Sequence, residues 1–96
     1  MKLHKTPKYE RSVKKIISSR KLTKEEIEET EKLFEHRPQD TSLRYHKIIC
    51  KKDKFRYSIT VPNTQYRILL TVIDENRVYL VALLNHKDYD RHNKHC

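Results

Sequence analysis

The chain has 96 residues, 35% of them hydrophobic and 36% charged, with a formal net charge of +9 and no glycine. That length holds one domain, residues 1–96, whose thin core leaves part of its stability to a bound partner. The missing glycine excludes Walker and Rossmann phosphate loops, which need it where the backbone approaches phosphate. There is no long apolar run and no signal-peptide core, so a membrane span is excluded and a cytoplasmic protein is expected.

The positive charge grows along the chain. Eleven basic residues face eight acidic ones through Asp40, and eleven face five beyond it. A bias of that sign favours nucleic acid or an acidic protein as partner, because neutralising phosphates releases counterions; an inert basic surface is the plainer alternative. The two cysteines, Cys50 and Cys96, lie too far apart for metal-ligand spacing and are expected as free thiols. Neither a metal nor another cofactor is expected.

In chain order, Met1 to Thr6 predicts a short edge strand. From Pro7 to Ser18, Tyr9, Val13, Ile16 and Ile17 recur on one helical face, and proline is tolerated in the first turn. Thr23 with Glu26 three residues later makes a capping box, so a second helix starts there. It carries Ile27, Thr30 and Phe34 on one face and stops near Arg37, before Pro38. Beyond Pro38 the spacing predicts strands over Leu43–Ile49, Phe55–Val61, Tyr66–Ile73 and Arg77–Leu84, joined by short polar turns and therefore antiparallel. The last two are apolar on both faces and should be central, with the helices covering one side. The fold class expected is α+β: two N-terminal helices packed on a four- to five-stranded antiparallel sheet.

Taking each turn as a mirror point sets Arg67 opposite Thr60 on one side and about Leu83 on the other. Period-2 alternation puts Arg56, Ser58 and Thr60 on the face that Arg67 shares, with His86 and Tyr89 just past the last strand. Ser58, Thr60, Arg67, His86 and Tyr89 would line one concave site. Each has a plainer alternative: Arg67 paired with Asp88 or Asp90, His86 as an ordinary polar residue, Tyr89 as a cap on the core.

The ordered series Leu43-Arg44-Tyr45-His46-Lys47-Ile48, Phe55-Arg56-Tyr57-Ser58-Ile59-Thr60-Val61, Tyr66-Arg67-Ile68, Asp74-Glu75-Asn76 and Asn85-His86-Lys87-Asp88-Tyr89-Asp90-Arg91 resembles the RelE/ParE toxin superfamily, nearest its HigB branch. The resemblance implies a microbial-ribonuclease-like fold and a toxin of a type II toxin–antitoxin system. Such a toxin is an endoribonuclease that cleaves messenger RNA, on the ribosome, and it is held in check by an acidic or helix-turn-helix antitoxin. Where the RelE branch carries strand lysines, this chain has Ser58 and Thr60; where the family often has glycine after its His-x-Leu motif, it has Cys50.

Cleavage without metal needs a base for the 2′-hydroxyl, a cation for the phosphorane and an acid for the leaving 5′-oxygen. Arg67 suits the phosphate, since its planar fork makes bidentate contacts. His86, or His46 in the His-x-Leu position, suits proton transfer, and Tyr89 suits stacking or phosphate contact. Arg44, Lys47, Lys51, Lys52, Lys54, Arg56, Ser58, Thr60, Lys87 and Arg91 complete the expected RNA-binding surface. The rival readings are a ParE-like inhibitor of DNA gyrase without ribonuclease activity, which has no need of a converging Arg, His and Tyr, and a plain RNA-binding module.

Overall fold

A computed structural model describes all 96 residues. The element order is β1 (Lys2–Lys5), α1 (Pro7–Ser18), α2 (Lys24–His36), a 3₁₀ turn (Thr41–Leu43), β2 (His46–Lys47), β3 (Arg56–Thr60), β4 (Arg67–Asp74), β5 (Arg77–Leu84) and α3 (His86–Lys94). The strands form one sheet in the order β1-β5-β4-β3-β2. Both apolar strands are interior, as their composition predicts. The sheet is mixed rather than wholly antiparallel, because β1 runs parallel to β5. A strand of four residues carries too little pattern to declare its direction, and the long helical crossover from β1 to the sheet allows the parallel sense.

Local chemistry starts each helix. Thr6 accepts from the Tyr9 amide at 3.1 Å and donates its hydroxyl to Leu80 O at 2.8 Å, so one side chain caps α1 and ties it to β5. The expected capping box of Thr23 and Glu26 forms at the start of α2. α1 ends on Arg20 at φ 59°, with Arg20 and Lys21 amides returning to the Ile17 and Ile16 carbonyls. This is the motif in which glycine is usual; a chain without glycine places arginine there instead.

The two sheet faces differ. On one, Tyr9, Ile27 and Phe34 from the helices pack with Ile59, Ile68, Leu70, Val78, Leu80 and Leu83 in a core of twelve buried residues. Tyr9 donates its hydroxyl to Glu31 at 2.7 Å, and Lys5 meets the other carboxylate oxygen at 3.1 Å. Burial, then the Glu31 charge, pushes the Tyr9 phenol far up, so it stays a donor. β5 carries a bulge at Val81: Leu69 pairs with Ala82 and Leu70 with Leu80. The Leu83 amide donates to Ser12 Oγ at 2.9 Å, which pins α1 across β5 just beyond this bulge.

On the other face lies α3, an element the sequence reading left out. Its Asn85 cap accepts from the Asp88 amide, and its single buried residue, Tyr89, packs with Ile48 and Leu69. The expected strand Leu43–Ile49 shrinks to His46–Lys47. Asp40 caps the turn before it by accepting from the Ser42 amide and hydroxyl, and Arg44 at φ 48° breaks the extended run. The cysteines are not free: Cys50 and Cys96 form a disulfide with Cα atoms 4.8 Å apart. Their separation of 46 residues hid the pairing, since only the folded sheet brings the β2–β3 loop to the end of α3.

Candidate nucleic-acid interface

The register sets out the face beneath α3 row by row. Thr60, Arg67 and Leu84 form one row; His46, Ser58, Leu69 and Ala82 form the next; Arg56, Thr71 and Tyr79 form a third. Arg67 thus lies opposite Thr60 as expected and one residue from the predicted Leu83. Arg56, Ser58 and Thr60 share its face. Arg67 pairs with neither Asp88 nor Asp90, which take Arg91 and His86 respectively; its one hydrogen bond goes to Tyr66 O at 3.3 Å.

Not every expected member is presented to solvent. Ser58 is wholly buried, with no protein partner for its hydroxyl, and Thr60 is buried too. Tyr89 packs over the sheet and not into an open cavity. His46 sits on the outer strand β2, exposed, with Nδ1 2.6 Å from Arg44 O. His86 and Lys87 are exposed in the first turn of α3, and His86 Nε2 lies 3.2 Å from Asp90. The structure does not gather Arg67, His86, His46 and Tyr89 around one point. Arg44, Lys47, Lys51 and Lys54 form an exposed basic rim along β2 and its loop.

What does converge lies further along the same face. A cleft of about 350 Å³ is floored by Leu69, Val81 and the Cys50–Cys96 bridge, and walled by Lys8, Lys52, Arg56, Arg91, His92 and His95. No acidic residue lines it. Lys8 comes from the first turn of α1, Arg56 from β3, Lys52 from the β2–β3 loop, and the rest from α3 and its end. Tyr89, His92, Asn93 and Cys96 recur at i, i+3, i+4 and i+7, which turns them to the sheet together.

Asp53 forms an ion pair with Arg56 and is itself held by two further donors. Its carboxylate accepts from Thr71 Oγ1 at 2.7 Å and the Phe55 amide at 2.9 Å, and stands 3.5 Å from Arg56 Nε. That nitrogen is buried and makes no hydrogen bond. Burial alone would raise the Asp53 carboxyl; the two hydrogen bonds and the Arg56 charge outweigh it and hold the group below its usual range. His92 is pushed down from 6.5, first by burial and then by Lys8 and Arg56, against a smaller opposing pull from Asp88. A histidine held neutral among cations can accept a proton near neutral pH.

Sequence reasoning missed Lys8, His92 and His95. The helical spacing from Tyr89 to Cys96, opened by the Asn85 cap, is the signal that would have found His92; His95, beyond the helix end, falls outside that spacing.

No family model and no curated protein matches the chain. Solved structures do. YafQ from E. coli superposes with a TM-score of 0.71 at 9% identity, over 92% of this chain and 96% of that one. The chain has the fold of YafQ. A copper-bound mutant toxin from Helicobacter pylori gives 0.70 at 13% identity, over 92% and 97%. YafQ in its DinJ–YafQ toxin–antitoxin complex gives 0.71 at 11%, over 91% and 93%. The fold expected from the RelE-like resemblance is therefore the fold observed, with the mixed sheet and α3 as its corrections. No helix is long and apolar enough to cross a membrane.

Proposed function

We infer that this chain is the toxin of a type II toxin–antitoxin pair and an endoribonuclease that cleaves messenger RNA on the ribosome. One observation carries the reading: a cleft with four Lys and Arg side chains, two histidines and no acid, on the open face of a fold shared with toxins. Such a site suits a phosphodiester in both charge and proton chemistry.

In the reaction, neutral His92 takes the proton of the RNA 2′-hydroxyl, whose oxygen attacks the adjacent phosphorus. Arg56 and Lys8 hold the charge of the phosphorane. His95 returns a proton to the departing 5′-oxygen, leaving a 2′,3′-cyclic phosphate. Arg67, His46 and the basic rim of Arg44, Lys47, Lys51 and Lys54 extend along the same side and would carry the flanking backbone. His86, engaged with Asp90, takes no part.

The test is incubation of the purified chain with defined messenger RNA, with and without ribosomes, followed by end mapping. Cyclic-phosphate ends that vanish in Arg56→Ala and His92→Gln are expected. Intact RNA under both conditions, with arrest of DNA synthesis on expression, would replace this reading by gyrase inhibition. A DinJ-like antitoxin is the expected partner, by analogy with the DinJ–YafQ complex.

A further inference from the structure

α3 is held to the molecule by little. It has nine residues and one buried side chain, Tyr89, and a helix of that length is marginal in water without tertiary support. Besides Tyr89, what fixes its far end is the Cys50–Cys96 bridge and a backbone hydrogen bond from the Lys51 amide to Cys96 O at 3.2 Å. Both cysteines line the cationic cleft. Arg91, His92 and His95 ride on one side of the bridge, and Lys52 rides on the other, two residues from Cys50. The convergence of these groups depends on the covalent link more than on apolar burial.

We propose that Cys50–Cys96 is a redox latch: as the disulfide it docks α3 and assembles the cleft, and as the dithiol it lets the end of α3 leave the sheet, so that His92 and His95 part from Arg56. The consequence for RNA rests on the reading of this cleft given above; the consequence for α3 does not. The chemistry is thiol–disulfide exchange with a cellular dithiol reductant. One thiolate of the reductant attacks the Cys96 sulfur, the more exposed of the two, and the S–S bond breaks to a mixed disulfide and a Cys50 thiolate. The second reductant thiolate then attacks the mixed disulfide, releasing Cys96. The chain gains two electrons and two protons, and the reductant leaves as its own disulfide. In a reducing compartment such bonds are characteristically transient and sensing rather than structural, so the cleft would be complete only under oxidising conditions.

The experiment compares the full chain purified without reductant, the same chain in excess dithiothreitol, and the Cys50→Ser/Cys96→Ser double variant. Two readouts are taken: hydrogen exchange of α3 amides against those of β4, and binding of a fluorescent RNA oligonucleotide. Protection of α3 should fall by roughly tenfold or more in the dithiol and in the double variant while β4 is unchanged. RNA binding should weaken in parallel, and the double variant should ignore the reductant. Since reduction needs no substitution, a double variant that fails to fold leaves the comparison intact. Equal α3 protection in the two redox states overturns the latch. Reduced protection with unchanged RNA binding overturns its control of the cleft. Reduced protection with no RNA binding in either state upholds the latch and removes the RNA reading instead.

Discussion

The two faces of the sheet are built on opposite terms. The face under α1 and α2 closes on twelve buried residues, Phe34 and Leu43 among them, and its internal polar groups have partners, Tyr9 in Glu31 and Thr30 in the Glu26 carbonyl. The face under α3 closes on three, leaves Ser58 Oγ and Arg56 Nε without hydrogen bonds, and relies on a disulfide. Buried polar groups without partners are costly, and they persist where a site needs them. One face supplies stability; the other spends some of it to keep cations close together.

The largest expected effect separates the faces by packing. Phe34→Ala should cost about 3–5 kcal/mol of stability by lost burial and cavity formation. Tyr89→Ala should cost about 1–2 kcal/mol, because water enters beside the cleft. Chemical denaturation of both variants checks this, and equal losses would break the comparison.

Next comes activity. Arg56→Ala should slow RNA cleavage by roughly a hundred- to a thousandfold, a barrier increase of about 3–4 kcal/mol, with its unfolding midpoint little changed. Arg67→Ala, outside the cleft, should slow it less than about tenfold by losing one backbone contact. Single-turnover rates on one oligonucleotide decide between them, and the reverse order would move the catalytic centre back to Arg67.

A third expectation concerns pH. His92 has its folded pKa lowered from 6.5, so the unfolded chain binds the proton more readily. The associated stability is complete above 6.5 and is lost as pH falls through the lowered value. The acid limb of cleavage should likewise have its midpoint below 6.5. Lys8→Ala removes a positive neighbour and should move the His92 midpoint upward, which NMR titration of the imidazole would show. An unmoved midpoint would detach Lys8 from the cleft.

The smallest effect lies far from the site. Arg20 occupies the left-handed region at φ 59°, where a side chain costs about 1–2 kcal/mol that glycine escapes, less the entropy glycine adds to the unfolded chain. Arg20→Gly should therefore raise stability by about 0.5–1 kcal/mol and leave RNA cleavage unchanged. A thermal melt alongside the cleavage assay tests both halves.

Legibility followed the same division. α1 and α2 were readable because their apolar residues repeat with the helical period, β4 and β5 because each is an unbroken apolar run bounded by polar turns, and the shared face of Arg56, Ser58, Thr60 and Arg67 followed from alternation and the turn positions. α3 was not, since one apolar residue in nine offers no period to count. The cleft depends on α3 and on a cysteine pair that only the sheet order brings together, so its histidines were missed while His86, adjacent to a readable strand, was singled out. The direction of β1 escaped for want of length.

β5 pairs with β1 on one side and with β4 on the other, and besides accepts a hydrogen bond from Thr6 and donates one to Ser12. The first strand and α1 therefore have no sheet to settle on until residues 77–84 have been synthesised. Contacts of that sequence span must be made late and against the entropy of a long loop. A nascent chain that has not reached these residues lacks its hub strand, so the cationic cleft comes into being only after β5 and the α3 that follows it have been made.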